Sequence, residues 1–236
     1  MTSRYDRQKL IFGDEGQKKL SEATVGIIGC GGLGSSVITA LASAGVGTLV
    51  LIDGDHPDIT NLNRQFVYRE GQKESKVDIA SIWIRSLNPD CSVICHPKDL
   101  DADNAKEFLS RCDILVDCLD SIPARKILNK YSVDSNKILV HGGVCGYQGQ
   151  VTVVVPNVTP CLECILKTVN NFNILMPSVG AAVSEIGSAE ALEVIKLITG
   201  VGETLIGKLL VADMESNFYE VVELQKDPTC RICGIH

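Results

Sequence analysis

The fold is decided by Thr24-Val-Gly-Ile-Ile-Gly-Cys-Gly-Gly-Leu-Gly34. Its first half is a short run rich in β-branched residues that predicts a strand, and a helix of small residues follows at 33–44. Glycines in this setting let the backbone approach a phosphate, and the helix N-terminus offers free N–H groups. We therefore expect a nucleotide to bind at Gly29, Gly31, Gly32 and Gly34.

Outward from this stretch, apolar strands alternate with helices as far as Gly146. Strands are predicted at 24–29, 47–53, 91–96, 114–118 and 138–142, and helices at 33–44, 75–87, 103–110 and 124–135. Continuous apolar strands between helices are typical of a parallel α/β sheet covered on both faces, the Rossmann-like arrangement.

The pattern changes after Gly146. A strand at 150–155, a long helix at 181–198 and a hairpin of strands at 209–213 and 219–224 follow. We expect this tail to extend the sheet with antiparallel strands. No linker or repeat interrupts the chain, so residues 1–236 are predicted to form a single domain.

Charge and cysteine content narrow the classes of function. The net charge is −7 and the pI is about 5.1, which argues against a general nucleic-acid or membrane-surface binder. The N-terminus has no apolar signal-peptide core, and no apolar run is long enough to span a membrane. Ten cysteines without such a signal indicate a reducing compartment, so we expect a cytoplasmic protein.

The glycine stretch alone leaves two kinds of nucleotide open. Asp53 ends the second predicted strand, where a carboxylate binds ribose hydroxyls, and this fits an NAD-dependent oxidoreductase equally well. A tight turn that binds no ligand is a further alternative. The glycines therefore predict a nucleotide site without naming the nucleotide.

Two cations downstream favour a triphosphate. Arg64, within Thr60-Asn-Leu-Asn-Arg-Gln-Phe66, and Lys76 would neutralise phosphate charge that a dehydrogenase does not meet. Asp120 follows the fourth parallel strand, at the edge where such sheets bind ligands, and a carboxylate there suits Mg²⁺. The alternatives are surface ion pairs for Arg64 and Lys76, and an N-cap role for Asp120 at the helix beginning near Ile122.

The chain resembles the ubiquitin-activating-type enzymes, a family with bacterial members such as ThiF, MoeB and HesA. The similarity runs in order through nearly the whole chain. It is carried by Arg4-Tyr-Asp-Arg-Gln8, the glycine stretch, Ala42–Gly47, Asp53–Gln65, Lys76, Asp117–Asp120, Gly187–Lys196 and two Cys-x-x-Cys pairs. The resemblance implies ATP-dependent adenylation of a carboxylate, usually the C-terminus of a ubiquitin-like sulfur carrier.

The resemblance also implies roles for single residues. Asp53 would bind the ribose, Asn61, Arg64 and Lys76 the phosphates, and Asp120 a magnesium ion, with Asp55 and Gln65 in the same nucleotide site. Arg7 would reach the ATP site of a neighbouring subunit, which implies a homodimer. The alternative for Arg7 is a solvated charge near the N-terminus.

Two close cysteine pairs predict a metal. Cys161, Cys164, Cys230 and Cys233 supply the four thiolates of a tetrahedral, structural zinc site. Unrelated reduced pairs or a redox motif are the alternatives. Cys30 is the remaining cysteine that lies beside the predicted helix N-terminus, which lowers a thiol pKa, and we assign it no role.

One departure from the family bears on the chemistry. Members that use a thiol carry a cysteine in the loop before the Gly187 helix, whereas this chain has Asn173 at about that position and no cysteine between Cys164 and Cys230. We therefore expect adenylation without a thioester on this chain. The carboxylate itself stays open: a ubiquitin-like tail, a peptide, or a small molecule such as a guanylylpyridinol-type cofactor precursor. An NAD-dependent oxidoreductase and a non-catalytic scaffold are the other classes.

Overall fold

The structure is a computed structural model that describes residues 3–166 and 177–234. Its helices are α1 (Asp6–Glu22), α2 (Gly32–Ala44), α3 (Lys76–Leu87), α4 (Ala105–Leu109), α5 (Ile122–Ser135), α6 (Leu162–Ile165) and α7 (Gly180–Thr199). Its strands are β1 (Thr24–Ile28), β2 (Thr48–Ile52), β3 (Ser92–His96), β4 (Ile114–Asp117), β5 (Ile138–Cys145), β6 (Gln148–Val154), β7 (Lys208–Asp213) and β8 (Phe218–Glu223). In the described ranges, no helix combines the length and hydrophobicity needed to cross a bilayer.

The strands form one sheet in the order β3-β2-β1-β4-β5-β6-β7-β8. Pairing is parallel from β3 to β5 and antiparallel from β5 to β8, so the predicted Rossmann-like sheet with an antiparallel extension is confirmed. The chain moves outward from β1 to β3 and then returns to place β4 on the other side of β1. This reversal opens a crevice beyond the carboxyl ends of β1 and β4, which is where such sheets bind ligands.

The register brings the strand ends to one level. Ile28, the last residue of β1, pairs with Ile52 at the end of β2 and with Asp117 at the end of β4. Asp117 pairs in turn with His141 of β5. The loops that follow β1, β2 and β4 therefore leave the sheet side by side.

Alternating side chains cover the sheet on both faces. One hydrophobic core contains Val25 and Ile27 of β1 and packs under α2, α3 and α7. The other contains Ile28 with residues of α4 and α5, and it extends to the cysteine pairs. Helices α2 and α7 pack closely, because a β-carbon at Gly187 would lie only 2.7 Å from the Leu33 carbonyl oxygen.

Helix α1 was not predicted. Its residues are mostly exposed, and Gly13 interrupts it with φ 69°, so the segment lacks the regular apolar spacing of a buried helix. Polar contacts hold it instead: Gln8 and Gln17 both donate to the Ala44 carbonyl, at 2.7 and 3.0 Å. Asn88 donates to the Tyr5 hydroxyl at 2.8 Å. Such long-range polar contacts leave no local pattern in the sequence.

Candidate functional site

The glycine turn joins β1 to α2 in a conformation that requires glycine. Gly29 has φ 94°, and a β-carbon there would lie 2.5 Å from the carbonyl oxygen of Cys118 in the loop after β4. Its N–H donates to the Ile52 carbonyl at 2.9 Å. The first turn of α2 has no side-chain cap at Gly31, so its N–H groups are free to bind an anion.

Asp53 braces this turn. Its Oδ2 accepts from the Cys30 N–H at 2.7 Å, and its Oδ1 accepts from the Asp55 N–H at 2.8 Å. Burial raises the pKa of Asp53, although the Lys76 ammonium and the two N–H donors oppose that shift. Asp53, the residue predicted to bind the ribose, therefore lies beside the glycine turn, and two backbone N–H groups already fix its carboxylate.

Lys76 lies at the start of α3 and is 5% exposed. Its Nζ is 2.8 Å from Asp55 Oδ2 and 4.0 Å from Asp53 Oδ1. The Lys76 ammonium is buried and lies near two carboxylates, which differs from the surface ion pair considered as the alternative for this residue in the sequence analysis. The structure thus places a cation directly behind the residues that brace the glycine turn.

The segment before α3 lies against the same turn. A 3₁₀ turn at Ile59–Asn61 is closed by Asp58 and Asn61, whose side chains cap each other's backbone. Arg64 donates through Nη1 to the Thr60 carbonyl at 2.8 Å and to Asn63 Oδ1 at 2.9 Å. A β-carbon at Gly32 would lie 3.4 Å from Arg64 Cγ. Arg64 is therefore beside the helix N-terminus and is not engaged in an ion pair with any described residue.

Gln65, next to Arg64 in the chain, also lies against the glycine turn. It is 5% exposed, its Nε2 would lie 3.6 Å from a β-carbon at Gly31, and its Oε1 has no hydrogen-bond partner among the described residues. A buried amide oxygen without a donor is costly unless a ligand or water supplies one. Gln65 thus offers an unused acceptor next to the glycine turn.

Asp120 is exposed in the loop between β4 and α5. The N-cap residue of α5 is Ser121, so the capping alternative for Asp120 is wrong. The Asp120 carboxylate makes no hydrogen bond or ion pair with the rest of the described chain. Since the preceding Cys118 carbonyl touches Gly29, Asp120 lies on the same side of the sheet as the glycine turn.

Arg7 is not part of this group of residues. It is exposed on α1, and its neighbour Gln8 contacts Ala44 at the C-terminal end of α2. The 13 residues of α2 span about 20 Å, so the glycine turn lies at the far end of that helix. Leu10 and Ile11, which follow on α1, are 88% and 72% exposed.

The two cysteine pairs lie together on the face of the sheet that is covered by α4 and α5, opposite to the face covered by α2. The four Sγ atoms of Cys161, Cys164, Cys230 and Cys233 all lie within 4.8 Å of one another. Cys161 and Cys230 Sγ are 3.8 Å apart, and Cys164 and Cys233 Sγ are 3.5 Å apart. The predicted clustering is confirmed, and it joins the C-terminal tail to the segment after β6.

The surroundings of this cluster shift the pKa values of its thiols in both directions, since burial raises those of Cys161 and Cys233. Burial alone would raise the pKa of Cys230, but the N–H groups of Cys233 and Ile232 and the neighbouring thiols bring it to about 7. Asn129 of α5 accepts from the Leu162 N–H at 2.9 Å, which anchors the first pair to the domain. The arrangement can hold a metal that binds four thiolates.

The comparisons with known proteins agree with this geometry. A model of the ThiF family matches residues 5–232. The chain belongs to the ThiF family. The adenylyltransferase and sulfurtransferase MOCS3-2 of Zea mays is 38% identical over 247 residues, which cover 99% of this chain and 50% of that protein. MOCS3 of Caenorhabditis briggsae is 38% identical over 246 residues, covering 98% of this chain and 60% of that protein.

Solved structures show the same fold. A crystal structure of E. coli MccB with ATP has a TM-score of 0.88 and 26% identity, covering 99% of this chain and 75% of that one. MccB with MccA-N7isoASN has a TM-score of 0.89 and 25% identity, covering 99% and 76%. The chain spans about half the length of the curated relatives it matches.

In this ThiF-family chain Cys30 is fully buried, and desolvation raises the pKa of its thiol well above the ordinary value, which opposes the lowering by the helix N-terminus. Asn173 and the rest of 167–176 lie outside the described residues. The expectation of adenylation without a thioester therefore stays a prediction.

A buried polar cluster beneath the site was missed by the sequence analysis. His141 Nδ1 lies 2.7 Å from Asp117 Oδ2, and Arg125 Nε lies 3.3 Å from the same oxygen. Burial lowers the pKa of His141 although Asp117 opposes this, while Arg125 and His141 outweigh burial and hold the pKa of Asp117 below its usual range. The cluster therefore pairs a carboxylate with a guanidinium beside a neutral imidazole.

Glu190 of α7 is the fourth member of this cluster. Its side chain is fully buried, and a β-carbon at Gly142 would lie 2.3 Å from its Cδ. Neither carboxyl oxygen has a hydrogen-bond partner of normal geometry among the described residues, although the Gly142 backbone favours the ionised form slightly. Burial and the nearby Asp117 raise the pKa of Glu190 well above its ordinary value, which favours the protonated carboxyl.

Glu190→Gln is expected to stabilise the protein more at high pH than at low pH. The folded state keeps a proton on Glu190 that the unfolded chain releases above about pH 4.5, so wild-type stability falls as pH rises. A neutral amide removes this dependence, which for one proton amounts to at most about 1.4 kcal/mol per pH unit. Urea unfolding between pH 5 and pH 8 measures the difference.

The control for this measurement is Glu220→Gln on exposed β8, where we expect a difference from wild type that does not change with pH. The groups that face Glu190 are Asp117, Arg125 and Cys118. A Glu190→Gln effect that is the same at pH 5 and pH 8 would show that Glu190 is ionised in the folded protein.

Proposed function

We propose that this chain activates a carboxylate by adenylation, forming an acyl-adenylate and pyrophosphate from the carboxylate and ATP. One observation carries the proposal: Arg64 and Lys76 converge on an uncapped glycine turn at the switch point of the sheet. Membership of the ThiF family and the adenylyltransferases among the relatives support it. An NAD-dependent oxidoreductase would have no use for the two cations.

Different residues of the site would bind different parts of the nucleotide. The glycine turn and the N-terminus of α2 would hold phosphate, with charge supplied by Arg64 and Lys76. Asp53 still has lone pairs for ribose hydroxyls, and the unpartnered Gln65 oxygen suits a donor on the ligand. Asn61 and Asp55 line the same region through the 3₁₀ turn and the Lys76 pair.

Asp120 fits magnesium. Asp120 is an exposed carboxylate without a partner in the part of the chain that the structure describes, and it lies beside a phosphate-binding turn, so it has the oxygen ligands and the open space that this cation needs. Bound there, Mg²⁺ would neutralise charge on the phosphates. We propose Asp120 as its ligand.

Little acid–base chemistry is required of the chain. The substrate carboxylate is already ionised near neutral pH, since free carboxyl pKa values are about 4. One carboxylate oxygen attacks the α-phosphorus, and the bond from that phosphorus to pyrophosphate breaks. Lys76 and Arg64 stabilise the charge that moves onto the leaving group, so positioning and electrostatics dominate.

We propose the C-terminal carboxylate of a ubiquitin-like or sulfur-carrier protein as the substrate. The MOCS3 relatives are 36–38% identical, compared with 23–26% for the MccB structures. A peptide carboxylate is the second candidate, because MccB with MccA-N7isoASN has a TM-score of 0.89. The proposal is limited to the adenylation step.

The first experiment is titration calorimetry with ATP–Mg²⁺ and with NAD in parallel, followed by ATP–pyrophosphate exchange. We expect ATP to bind, NAD not to bind, and exchange to depend on a free carboxylate. Binding of NAD in place of ATP would replace adenylation with the oxidoreductase alternative.

We also propose one zinc ion at the cysteine cluster. Four sulfurs bound tetrahedrally at about 2.3 Å lie about 3.8 Å apart, close to the 3.8 Å between Cys161 and Cys230 Sγ and the 3.5 Å between Cys164 and Cys233 Sγ. Its role would be structural, because four thiolates leave no open coordination position. All ten cysteines are free, which suits a reducing compartment such as the cytoplasm.

We propose a homodimer in which Arg7 of one subunit reaches the ATP site of the other subunit. Arg7 lies far from the glycine turn of its own chain, and the exposed Leu10 and Ile11 beside it form an apolar strip suited to an interface. Mixing an Arg7→Ala chain with a Lys76→Ala chain should then restore pyrophosphate exchange, because one site of the mixed dimer has both residues. The mixed sample is compared with each variant alone.

The rescue has a built-in limit. Random exchange yields half mixed dimers, each with one intact site, so about a quarter of wild-type activity is expected. Subunit exchange is verified by native mass spectrometry of chains that differ in tag mass. No rescue despite demonstrated exchange would contradict the shared site.

A further inference from the structure

Arg125 links two strands at the carboxyl edge of the sheet. From α5 its Nη2 donates to the carbonyl oxygens of Leu119, in the loop after β4, and of Gly142, in β5, the latter at 3.0 Å. Its Nε lies 3.3 Å from the buried Asp117 Oδ2. One guanidinium therefore joins the end of β4, the loop that follows it and the adjacent strand.

The tethered loop also borders the nucleotide site. Leu119 directly precedes Asp120, and Cys118 directly precedes Leu119. The Cys118 carbonyl lies where a Gly29 β-carbon would be 2.5 Å away, so the loop packs against the glycine turn. Within residues 3–166 and 177–234, no hydrogen bond or ion pair fixes the Asp120 carboxylate itself. Its position depends on the backbone of the two residues before it.

We propose that Arg125 is a positioning residue, which fixes the 118–120 loop and so sets the Asp120 carboxylate relative to the glycine turn. The proposal rests on the proposed function, because it assigns Asp120 a ligand role. An arginine is suited to this task, since its planar guanidinium presents several donors in fixed directions. A lysine at this position has a single rotatable ammonium.

The buried cluster holds the guanidinium in place. Asp117 is anchored from its other side by His141, whose Nε2 lies 3.3 Å from the Gln150 amide nitrogen. A donor at Nδ1 toward Asp117 leaves Nε2 to accept from that amide, so the neutral imidazole is satisfied on both sides. Asp117 is the carboxylate that pairs with Arg125, since its Oδ2 lies 3.3 Å from Arg125 Nε.

Two variants separate the effect of the Arg125 hydrogen bonds on the 118–120 loop, called the tether below, from an effect on overall stability. Arg125→Lys keeps the positive charge but removes the planar guanidinium with its several donors. Arg125→Gln combined with Asp117→Asn removes both charges and so avoids a buried unpaired carboxylate, and the asparagine Oδ1 can still accept from the Leu119 N–H as Asp117 Oδ1 does at 3.1 Å. It is the second variant if the lysine variant fails to fold. Lys130→Gln is the matched control, because Lys130 lies on the exposed side of α5 and its ion-pair partner among the described residues is Asp134.

Two measurements test the proposal. Amide hydrogen exchange of residues 118–121, in protein without nucleotide, should accelerate at least tenfold in both tether variants and be unchanged in Lys130→Gln. Binding of Mn²⁺ in the presence of a non-hydrolysable ATP analogue, followed by EPR, should weaken about 10- to 100-fold, as for other residues that orient a metal ligand. Pyrophosphate exchange at saturating ATP should fall in parallel and recover partly at high Mg²⁺.

The outcomes distinguish this proposal from the proposed function. Wild-type exchange of the 118–121 amides in the double variant would overturn the tether, whatever the activity. Faster amide exchange with wild-type Mn²⁺ affinity would overturn the link to Asp120. An Asp120→Asn chain that binds Mn²⁺ like wild type would instead refute the magnesium role on which the proposal rests.

Discussion

Lys76→Ala is expected to abolish ATP–pyrophosphate exchange while the protein remains folded. The Nζ of Lys76 is the buried cation beside the glycine turn, and pyrophosphate gains charge as it leaves. Loss of one charged contact in a transition state costs a few kcal/mol, a rate loss on the order of 10²-fold or more. Arg64→Ala should lose exchange to a similar extent, since Arg64 lies beside Gly32 with no ion-pair partner among the described residues.

The matched control is Lys73→Ala, which removes an exposed lysine three residues before Lys76. It should exchange pyrophosphate at the wild-type rate. Lys76→Met keeps the length of the buried stem without the charge, so it should be as inactive as Lys76→Ala and closer to wild type in stability. Exchange at the wild-type rate in any Lys76 variant would remove that residue from the site.

Loss of the cysteine cluster should produce the largest change in stability. Apparent binding free energies of zinc in Cys-rich peptides are about 10–16 kcal/mol, and that free energy is coupled to folding. Cys230→Ser should therefore abolish zinc binding and lower Tm by roughly 10 °C or more, since each kcal/mol shifts Tm by about 2–4 °C at this size. Metal analysis of protein purified without chelator, together with calorimetry, gives both numbers.

Cys145→Ser is the control, since Cys145 is a partly exposed cysteine outside the cluster. It should keep about one zinc per chain and a Tm near that of wild type. Wild-type protein that contains no zinc after purification under reducing conditions would refute the metal. Zinc retained in Cys230→Ser would instead refute the ligand set.

Much of the fold was predictable because its signals are local. The strand–glycine–helix stretch at Thr24–Gly34 and the strands that alternate with helices carry their own periodicity, and the resulting sheet has the predicted parallel and antiparallel parts. The cysteine spacing likewise predicted a cluster that the structure brings together. These features depend on residues that are neighbours in sequence.

The parts that were missed depend on distant residues. Helix α1 is held by contacts from Tyr5, Gln8 and Gln17 to residues more than 25 positions away, so its own composition does not reveal it. The cluster of Asp117, Arg125, His141 and Glu190 comes from β4, α5, β5 and α7. A buried glutamate inside a helix, or a histidine inside a strand, has no spacing that links it to the others. Only the folded sheet brings them together beneath the site.

Transfer of an oxygen atom tests adenylation most directly. A ubiquitin-like protein whose C-terminal carboxylate is labelled with ¹⁸O is incubated with this chain, ATP–Mg²⁺ and hydroxylamine as acceptor. If a carboxylate oxygen attacks the α-phosphorus, the AMP released when hydroxylamine takes the acyl group carries one ¹⁸O atom, which mass spectrometry detects. If hydroxamate forms and an equal amount of AMP is released, but that AMP carries no ¹⁸O, carboxylate adenylation is contradicted.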